Sequence, residues 1–202
     1  MRKEAIQAGI VVMLLSAGVV SEASMTAVER QRLLAHLEMT SAWLIDEVSG
    51  LSPAQLAFKP SDDAWSIAQV LDHLVLVAPI YWNDLQAALA TAPSDLVTRE
   101  SDADILWYGI DRTHRENARA AEIPKGSGRD IRTVLAEYRR HHDRLLGYVR
   151  TTKDDLRRHL VARQGSDGYQ WVLLISTHEQ RHILQIREIK AAKGFPPSAR
   201  ER

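Results

Sequence analysis

The sequence predicts an all-α protein that folds as a four-helix bundle. Four long segments carry apolar residues at helical spacing, and no segment alternates between apolar and polar residues as a half-buried strand does. A stretch of weak periodicity, residues 91–128, separates the second segment from the third. A long crossover of this kind is typical of bundles in which two neighbouring helices run parallel. The 202 residues are enough for one domain with a buried core.

The composition argues against several classes of function. The 26 basic residues balance 26 acidic residues, so no phosphate-binding surface and no nucleic-acid partner are expected. Cysteine is absent, which excludes disulfides, thiolate metal ligands and a cysteine nucleophile. The sequence also has no glycine-rich phosphate loop and no recognisable Ser-His-Asp arrangement.

Residues 1–24 have the pattern of a signal peptide. Arg2 and Lys3 precede an apolar run over residues 10–20, and small residues follow at a cleavage point. The run is too short to form a stable membrane span. If this interpretation holds, the mature protein is periplasmic or secreted. The alternative is a cytoplasmic protein that starts at Met25. The bundle is expected over residues 25–197, with residues 198–202 as a C-terminal tail.

Capping boxes predict the starts of the first two long helices. Thr26 with Glu29 opens a helix that ends near residue 48, and Ser66 with Gln69 opens the second. A short helical turn is expected at residues 52–55. The stripes expected to be buried are Leu33, Leu37, Leu44 and Val48 in the first helix, and Ile67, Val70, Leu71, Leu74, Val77, Ala78 and Tyr81 in the second.

The crossover and the third helix have weaker signals. An irregular helix is expected over residues 102–121, and Asp130 is a candidate cap for the third helix. Residues 154–163 are charged and polar, so they are expected to form a solvated connection to the last helix. The buried stripe predicted for the third helix is Ile131, Leu135, Tyr138, His142, Leu145 and Val149.

The last helix, within residues 169–193, carries two histidines on the face that should be buried. His178 and His182 are four residues apart, so both imidazoles project from one side of the helix. Such a pair supplies two ligands for zinc, nickel or iron. The alternative is that they are core histidines bonded to carbonyls or neighbouring side chains. The predicted stripe is Trp171, Leu174, Ile175, His178, His182, Ile186 and Ile189.

The run His178-Glu179-Gln180-Arg181-His182 also matches the zincin pattern, in which the glutamate is the general base. A zincin takes its third ligand from further downstream, where this sequence offers none, so a third ligand is expected upstream. Two interpretations of Glu179 remain open. It is the catalytic base, or it is a solvated or salt-bridged residue beside Arg181, because adjacent helical positions point about 100° apart.

The remaining histidines differ in their positions on the predicted helices. His73 lies at the edge of the buried stripe of the second helix and is the natural third ligand. His142 is in phase with the core, either as a fourth group beside the metal or as a core histidine. Gln185 and Asp72 are candidates to support the ligands. The histidines expected at the surface or at a helix edge are His36, His114, His141 and His159.

Several of these residues together resemble the DinB-like superfamily of bacterial four-helix-bundle metalloproteins. The resemblance rests on Trp65-Ser66 followed by His73, and on His178 and His182 in the last helix. It extends through Ile183-Leu184-Gln185-Ile186 to Gly194-Phe195-Pro196, and it covers residues 26–197. The combination is more specific than any of its pieces.

The resemblance implies an up-down-down-up bundle with a divalent metal held by His73, His178 and His182 and with open coordination positions. Some relatives transfer low-molecular-weight thiols such as bacillithiol to electrophiles, and relatives that use mycothiol isomerise small acids. We therefore expect a zinc- or nickel-dependent transferase or hydrolase that activates a thiol or water toward a small-molecule substrate. A low-molecular-weight thiol is a candidate cofactor. The alternative is a non-catalytic bundle that binds a metal or small ligand, or that serves as a homodimerisation module.

Overall fold

The computed structural model describes residues 25–114, 116–124 and 128–197. The predicted signal peptide and the C-terminal tail lie outside these residues. Within them, no helix is both long enough and apolar enough to cross a membrane. The helices are α1 (Ala27–Val48), α2 (Pro53–Ala57), α3 (Ile67–Leu89), α4 (Asp102–Tyr108), α5 (Ile131–Thr151) and α6 (Gly168–Ala191). The shorter elements are the 3₁₀ turns Ala120–Glu122 and Leu156–Arg158 and the strands β1 (Leu160–Val161) and β2 (Ser166–Asp167).

Side-chain contacts between the four long helices define their directions. Two neighbouring pairs, α1 with α6 and α3 with α5, run parallel. The contacts are Thr40–Glu179 and Glu47–Lys190 for the first pair, and Asp72–Arg129 and Trp82–Tyr148 for the second. Helices α3 and α6 run antiparallel, because His73 packs against His182 and Tyr81 packs against Trp171. The predicted up-down-down-up four-helix bundle is confirmed.

Capping boxes begin α1, α3 and α6. The pairs are Thr26 with Glu29, Ser66 with Gln69, and Asp167 with Gln170. Each cap satisfies backbone N–H groups that have no partner within the helix, which stabilises the helix by about 1 kcal/mol. The cap expected from Asp130 is absent. Asp130 occupies the right position, but its carboxylate accepts a bond from Thr133 Oγ1 at 3.4 Å rather than from the backbone.

The core runs along the bundle in two apolar clusters. One contains Trp171, which has no exposed surface and donates its Nε1–H to the Tyr81 carbonyl at 2.9 Å. The other contains Leu71 and Ile183. Burial of each such side chain stabilises the fold by about 1.5–3 kcal/mol. The predicted stripes of α1 and α3 are buried, except that Ala78 and Tyr81 are only half-buried. Both of these residues line the cavity described below.

Arg157 connects the N-terminal ends of three helices. Its guanidinium pairs with Glu29 at the start of α1 at 2.9 Å, with Asp102 at the start of α4 at 2.7 Å, and with Asp167 at the start of α6 at 3.0 Å. Acidic groups are favoured at helix N-termini because of the helix dipole. We refer to these four residues as the arginine cluster.

The segment between α5 and α6 differs from its predicted form. The expected solvated connection instead contains the buried Leu156 and an antiparallel β1–β2 hairpin. His159 was expected at the surface, but it is buried and its Nδ1 lies 3.2 Å from the Ala88 carbonyl. In the crossover, α4 ends at Tyr108 rather than extending to residue 121. Contacts with distant parts of the fold position these short elements. Local periodicity in the sequence does not predict such contacts.

Candidate metal centre

Three imidazoles meet between α3 and α6. The Nε2 atom of His178 lies 3.3 Å from Nε2 of His73 and 3.0 Å from Nε2 of His182. Their candidate ligand atoms all lie within 4.8 Å of one another, and all three side chains are buried. His178 and His182 are one turn apart on α6, and the antiparallel α3 brings His73 to the same level. We refer to these residues as the histidine cluster.

The outer nitrogens of two of these rings are already engaged. Nδ1 of His73 lies 2.7 Å from the Glu122 carbonyl, which can only accept a hydrogen bond. Nδ1 of His182 lies 2.8 Å from Oε1 of Gln185. Both rings therefore carry their proton on Nδ1, and their Nε2 lone pairs point into the cluster. This is the tautomer that a histidine needs in order to bind a metal through Nε2.

Burial keeps the rings of the histidine cluster neutral. It lowers the pKa of His73, and together with the neighbouring imidazoles it lowers the pKa of His178 well below its ordinary value. Burial and the adjacent His73 lower the pKa of His182 to about 3. Neutral rings can share at most one N–H among the converging nitrogens, because His178 can donate to only one neighbour. At least one inward lone pair therefore lacks a donor.

The geometry of the histidine cluster fits a divalent cation. Four-coordinate zinc with Zn–N bonds of about 2.0–2.1 Å separates its nitrogens by about 3.3 Å. The separations of 3.3 and 3.0 Å in the histidine cluster are close to that value. Three neutral nitrogen donors are also typical of catalytic zinc sites, which keep a coordination position open for a reactant. A bound cation would pair with the lone pairs that have no donor.

Aromatic rings cover the cluster. The Trp65 indole is stacked on His182 with an interplanar angle of 13°, and its centroid lies 5.0 Å from that of His73. The Tyr81 ring lies 5.6 Å from His178 on another side. These rings hold the imidazoles in place and limit the access of water.

A cavity adjoins the histidine cluster at His178. It has a volume of about 50 Å³, whereas one water needs about 10–15 Å³. It is therefore large enough for several waters or for part of a small organic molecule. The residues that line it are Leu37, Leu74, Val77, Ala78, Tyr81, Trp82, Tyr138, His141, His142, Arg144, Leu145, Ile175, His178 and Glu179.

Comparisons with known proteins identify the family. The sequence profile of the DinB superfamily matches residues 29–186. The chain belongs to the DinB superfamily. It is 28% identical to the uncharacterized protein YuaE of Bacillus subtilis (strain 168) over an alignment of 151 residues that covers 72% of this chain and 89% of YuaE. Its fold is similar to that of YfiT from Bacillus subtilis, with a TM-score of 0.57 and 18% identity over 86% of this chain and 92% of that one. YfiT is described as a probable metal-dependent hydrolase with an unusual four-helix bundle topology.

In this DinB-superfamily chain, Glu179 is buried and forms no salt bridge with any residue that the structure describes. Its side chain is buried and its Oε2 lies 2.7 Å from Thr40 Oγ1 on α1. Burial raises the pKa of Glu179. Arg181, which was expected beside it, instead donates to main-chain carbonyls of the crossover, including that of Tyr108 at 3.1 Å. The solvent-facing interpretation was wrong because α1, α3 and α4 all pack on α6, so that the Glu179 side chain is buried and faces the cavity instead of the outer surface.

Of the two interpretations of His142, the structure supports the core histidine. Its Nε2 lies 3.1 Å from the Leu37 carbonyl, and its ring is stacked beside Tyr138. It is not part of the histidine cluster in this DinB-superfamily protein. Among the other histidines, His36 bonds to Ser176 at the edge of the bundle, His114 is exposed as predicted, and His141 is half-buried on the cavity wall.

The expected supporting residues have different outcomes. Gln185 bonds to His182, as described above. Asp72 was expected to support a ligand, but it points away from the cluster and pairs with Arg129 at 3.0 Å. The residue that does support His73 is Glu122, which lies 49 positions away in the crossover. No sequence signal predicted it, because any residue can present a backbone carbonyl.

Proposed function

We propose that this DinB-superfamily protein is a divalent-metal-dependent enzyme that activates water or a thiol toward a small-molecule substrate. The observation that carries the proposal is the convergence of three neutral Nε2 atoms beside a cavity. The description of YfiT as a probable metal-dependent hydrolase supports hydrolysis as the first reaction to test. The alternative is a non-catalytic bundle. That function would be favoured by a cavity filled with side chains, whereas the cavity beside His178 is open.

The chain's own residues would prepare the reaction in three ways. The Glu122 carbonyl and Gln185 orient His73 and His182 so that their lone pairs face inward. Because the imidazoles are neutral, they would leave the charge of a bound cation undiminished. When bound, a divalent cation supplies Lewis acidity that lowers the pKa of a coordinated water or thiol toward neutrality. The cavity beside His178 gives a substrate access to that position.

Glu179 is our candidate for proton transfer. Its side chain lines the same cavity as His178, and its hydrogen bond to Thr40 fixes its position. The raised pKa that burial gives it favours a group that exchanges a proton near neutral pH. We expect Glu179→Gln to retain metal and to lower turnover at least tenfold, by about 1.4 kcal/mol or more in the barrier. Unchanged turnover with full metal content would remove Glu179 from the mechanism.

The metal and the nucleophile are the finer parts of the proposal. Three imidazole donors suit zinc or nickel. A low-molecular-weight thiol remains a candidate cofactor. If residues 1–24 direct export, water is the nucleophile to test first, because the abundant low-molecular-weight thiols are cytoplasmic.

Metal analysis combined with activity measurements tests the proposal. Protein purified without chelator is expected to carry about one divalent ion per chain. Esters, amides and thiol-plus-electrophile pairs are then assayed before chelation, after chelation and after metal is restored. Turnover that is lost with the metal and returns with it supports the enzyme. Metal binding without turnover across the panel would favour the binding module, and a metal-free protein would remove both metal-based functions.

A further inference from the structure

Glu122 connects the histidine cluster to an ion-pair network outside it. Its backbone carbonyl accepts the hydrogen bond from His73 Nδ1 at 2.7 Å, while its side-chain Oε1 accepts from Arg163 Nη1 at 2.8 Å. Arg163 follows β1 and also pairs with Asp84 on α3. Glu122 is only 6% exposed, so its carboxylate depends on Arg163 for the compensation of its charge.

The position of the Glu122 carbonyl needs such an anchor. Glu122 is the last residue of a 3₁₀ turn of only three residues, Ala120–Glu122. This turn is not part of a longer helix. A turn of this length has weak hydrogen bonding of its own. The ion pairs of Arg163 connect it to α3, the same helix that carries His73. The Glu122 carbonyl and the His73 imidazole are therefore both fixed relative to α3.

The two oriented ligands differ in how far their support depends on tertiary structure. His182 is held by Gln185, three residues along the same helix, so α6 alone sets that geometry. His73 is held by a carbonyl 49 residues away, and a third segment, the one that carries Arg163, fixes that carbonyl. A loss of anchoring should therefore disturb His73 and leave the pair on α6 in place.

We propose that Arg163 and Glu122 are positioning residues for the metal centre, and that their ion pair holds the Glu122 carbonyl against His73 so that Nε2 faces the other two imidazoles, where a metal would bind. This inference rests on the proposed metal-dependent function. The substitutions Arg163→Gln and Glu122→Gln both remove the ion pair. Neither removes the backbone carbonyl or any of the three imidazoles.

The test is metal affinity, measured with Zn²⁺ by chelator competition and with Co²⁺ by its visible absorption. Each single variant is expected to bind about 10- to 100-fold more weakly, the usual effect of removing support for a metal ligand. The double variant is expected to be about as weak as either single variant, because both remove the same pair. The Co²⁺ spectrum of the variants is expected to shift toward that of His73→Ala. Arg163→Lys, which keeps the charge, is expected to recover part of the affinity.

Arg157→Gln is the matched control, since it removes an arginine from a comparable set of ion pairs that does not touch the histidine cluster. It is expected to lower stability and to leave metal affinity unchanged. If Arg157→Gln and Arg163→Gln lost metal affinity equally, the effect of Arg163 would be explained by general destabilisation, and the inference would be wrong. Wild-type affinity and spectrum in Arg163→Gln would overturn the inference, while the metal site would stand. A wild-type protein that binds no metal would instead remove the proposed function.

If Arg163→Gln and Glu122→Gln do not fold, Arg163→Lys tests whether Arg163 positions the Glu122 carbonyl. A lysine cannot reproduce both bonds of the guanidinium, so a measurable weakening of Co²⁺ binding with a shifted spectrum is expected. Unchanged binding in Arg163→Lys would then overturn the inference.

Discussion

The arginine cluster and the histidine cluster are both groups of polar side chains held between helices, but only one of them is complete. Arg157 has three carboxylates within 3.0 Å, and the charges and hydrogen bonds pair with one another. The histidine cluster brings together three neutral imidazoles whose inward nitrogens cannot all be paired within the cluster. The first arrangement is what structural stabilisation requires. The second leaves at least one inward lone pair for a cation or a hydrogen-bond donor from outside the chain.

The largest expected effect comes from the removal of a central ligand. His178→Ala should weaken Zn²⁺ binding about a thousandfold or more, which corresponds to about 4 kcal/mol. His178 is the strongest choice because its Nε2 is close to both other rings. Chelator competition measures the effect. Full metal occupancy in a variant that lacks His73, His178 and His182 would contradict the assignment of the site.

Acidification of metal-free protein should affect the two clusters in different pH ranges. The folded-state pKa values of the histidine cluster lie below the unfolded value of about 6.5, so folding excludes protons there. Stability should therefore fall as the pH drops from about 6.5 toward 3, the pKa of His182, and His182 alone should account for a loss of roughly 3 kcal/mol between pH 7 and 4. Hydrogen bonds from Arg157 lower the pKa of Asp102, so its contribution is lost only below the ordinary aspartate value of about 3.9.

Urea unfolding at a series of pH values measures this difference. His182→Asn should reduce the slope between pH 6.5 and 4 and should leave the behaviour at lower pH unchanged. The same slope in wild type and His182→Asn would mean that His182 is not held neutral by the fold.

Removal of the cation from the arginine cluster should affect stability alone. Arg157→Gln leaves Glu29, Asp102 and Asp167 close together without their shared cation, and we expect a loss of about 2 kcal/mol in the free energy of unfolding. Metal affinity should stay within about twofold of wild type. Thermal or urea unfolding and a Zn²⁺ titration on the same preparation measure both effects. A variant as stable as wild type would show that the cluster contributes no net stability.

The smallest expected effect on metal binding is that of His142→Ala. The ring bonds to the Leu37 carbonyl and is not among the three histidines whose ligand atoms converge, so we expect unchanged Zn²⁺ affinity and about 1 kcal/mol lower stability. This variant sharpens the distinction between a core histidine and a ligand. Loss of metal in His142→Ala, together with full binding in His73→Ala, would mean that His142 is the third ligand and His73 is not.

Sequence analysis predicted the parts of the fold that depend on local patterns. The capping boxes of Thr26 and Ser66 and the buried stripe of α1 are confirmed. The up-down-down-up topology, which the family resemblance implied, is confirmed as well. The spacing of His178 and His182 on one helix face required the two rings to be neighbours. His73 came next because its position on α3 is compatible with that face, and the structure does bring it to the other two.

The parts that were not predicted depend on contacts between distant segments. His142 lies in phase with its helix stripe and His73 at the edge of its own, yet it is His73 that joins the histidine cluster, while His142 bonds to the carbonyl of Leu37. One of the two interpretations placed Glu179 in solvent because adjacent helical positions diverge, but that argument did not account for α1 packing on the next face of α6. The support of His73 by Glu122 has no side-chain signature. Such features follow from the packed structure and have no periodic pattern in the sequence.

The separation of the ligands along the chain also has a consequence for folding. His73 and His178 are 105 residues apart, so a metal ion that binds both closes a long loop. Like a disulfide across the same interval, this link favours the folded chain over open conformations. Because α3 is synthesised well before α6, a growing chain contains one of these imidazoles long before the other two. The complete donor set exists only after α6 has docked, and we therefore expect metal uptake to be a late step that reports the completion of folding.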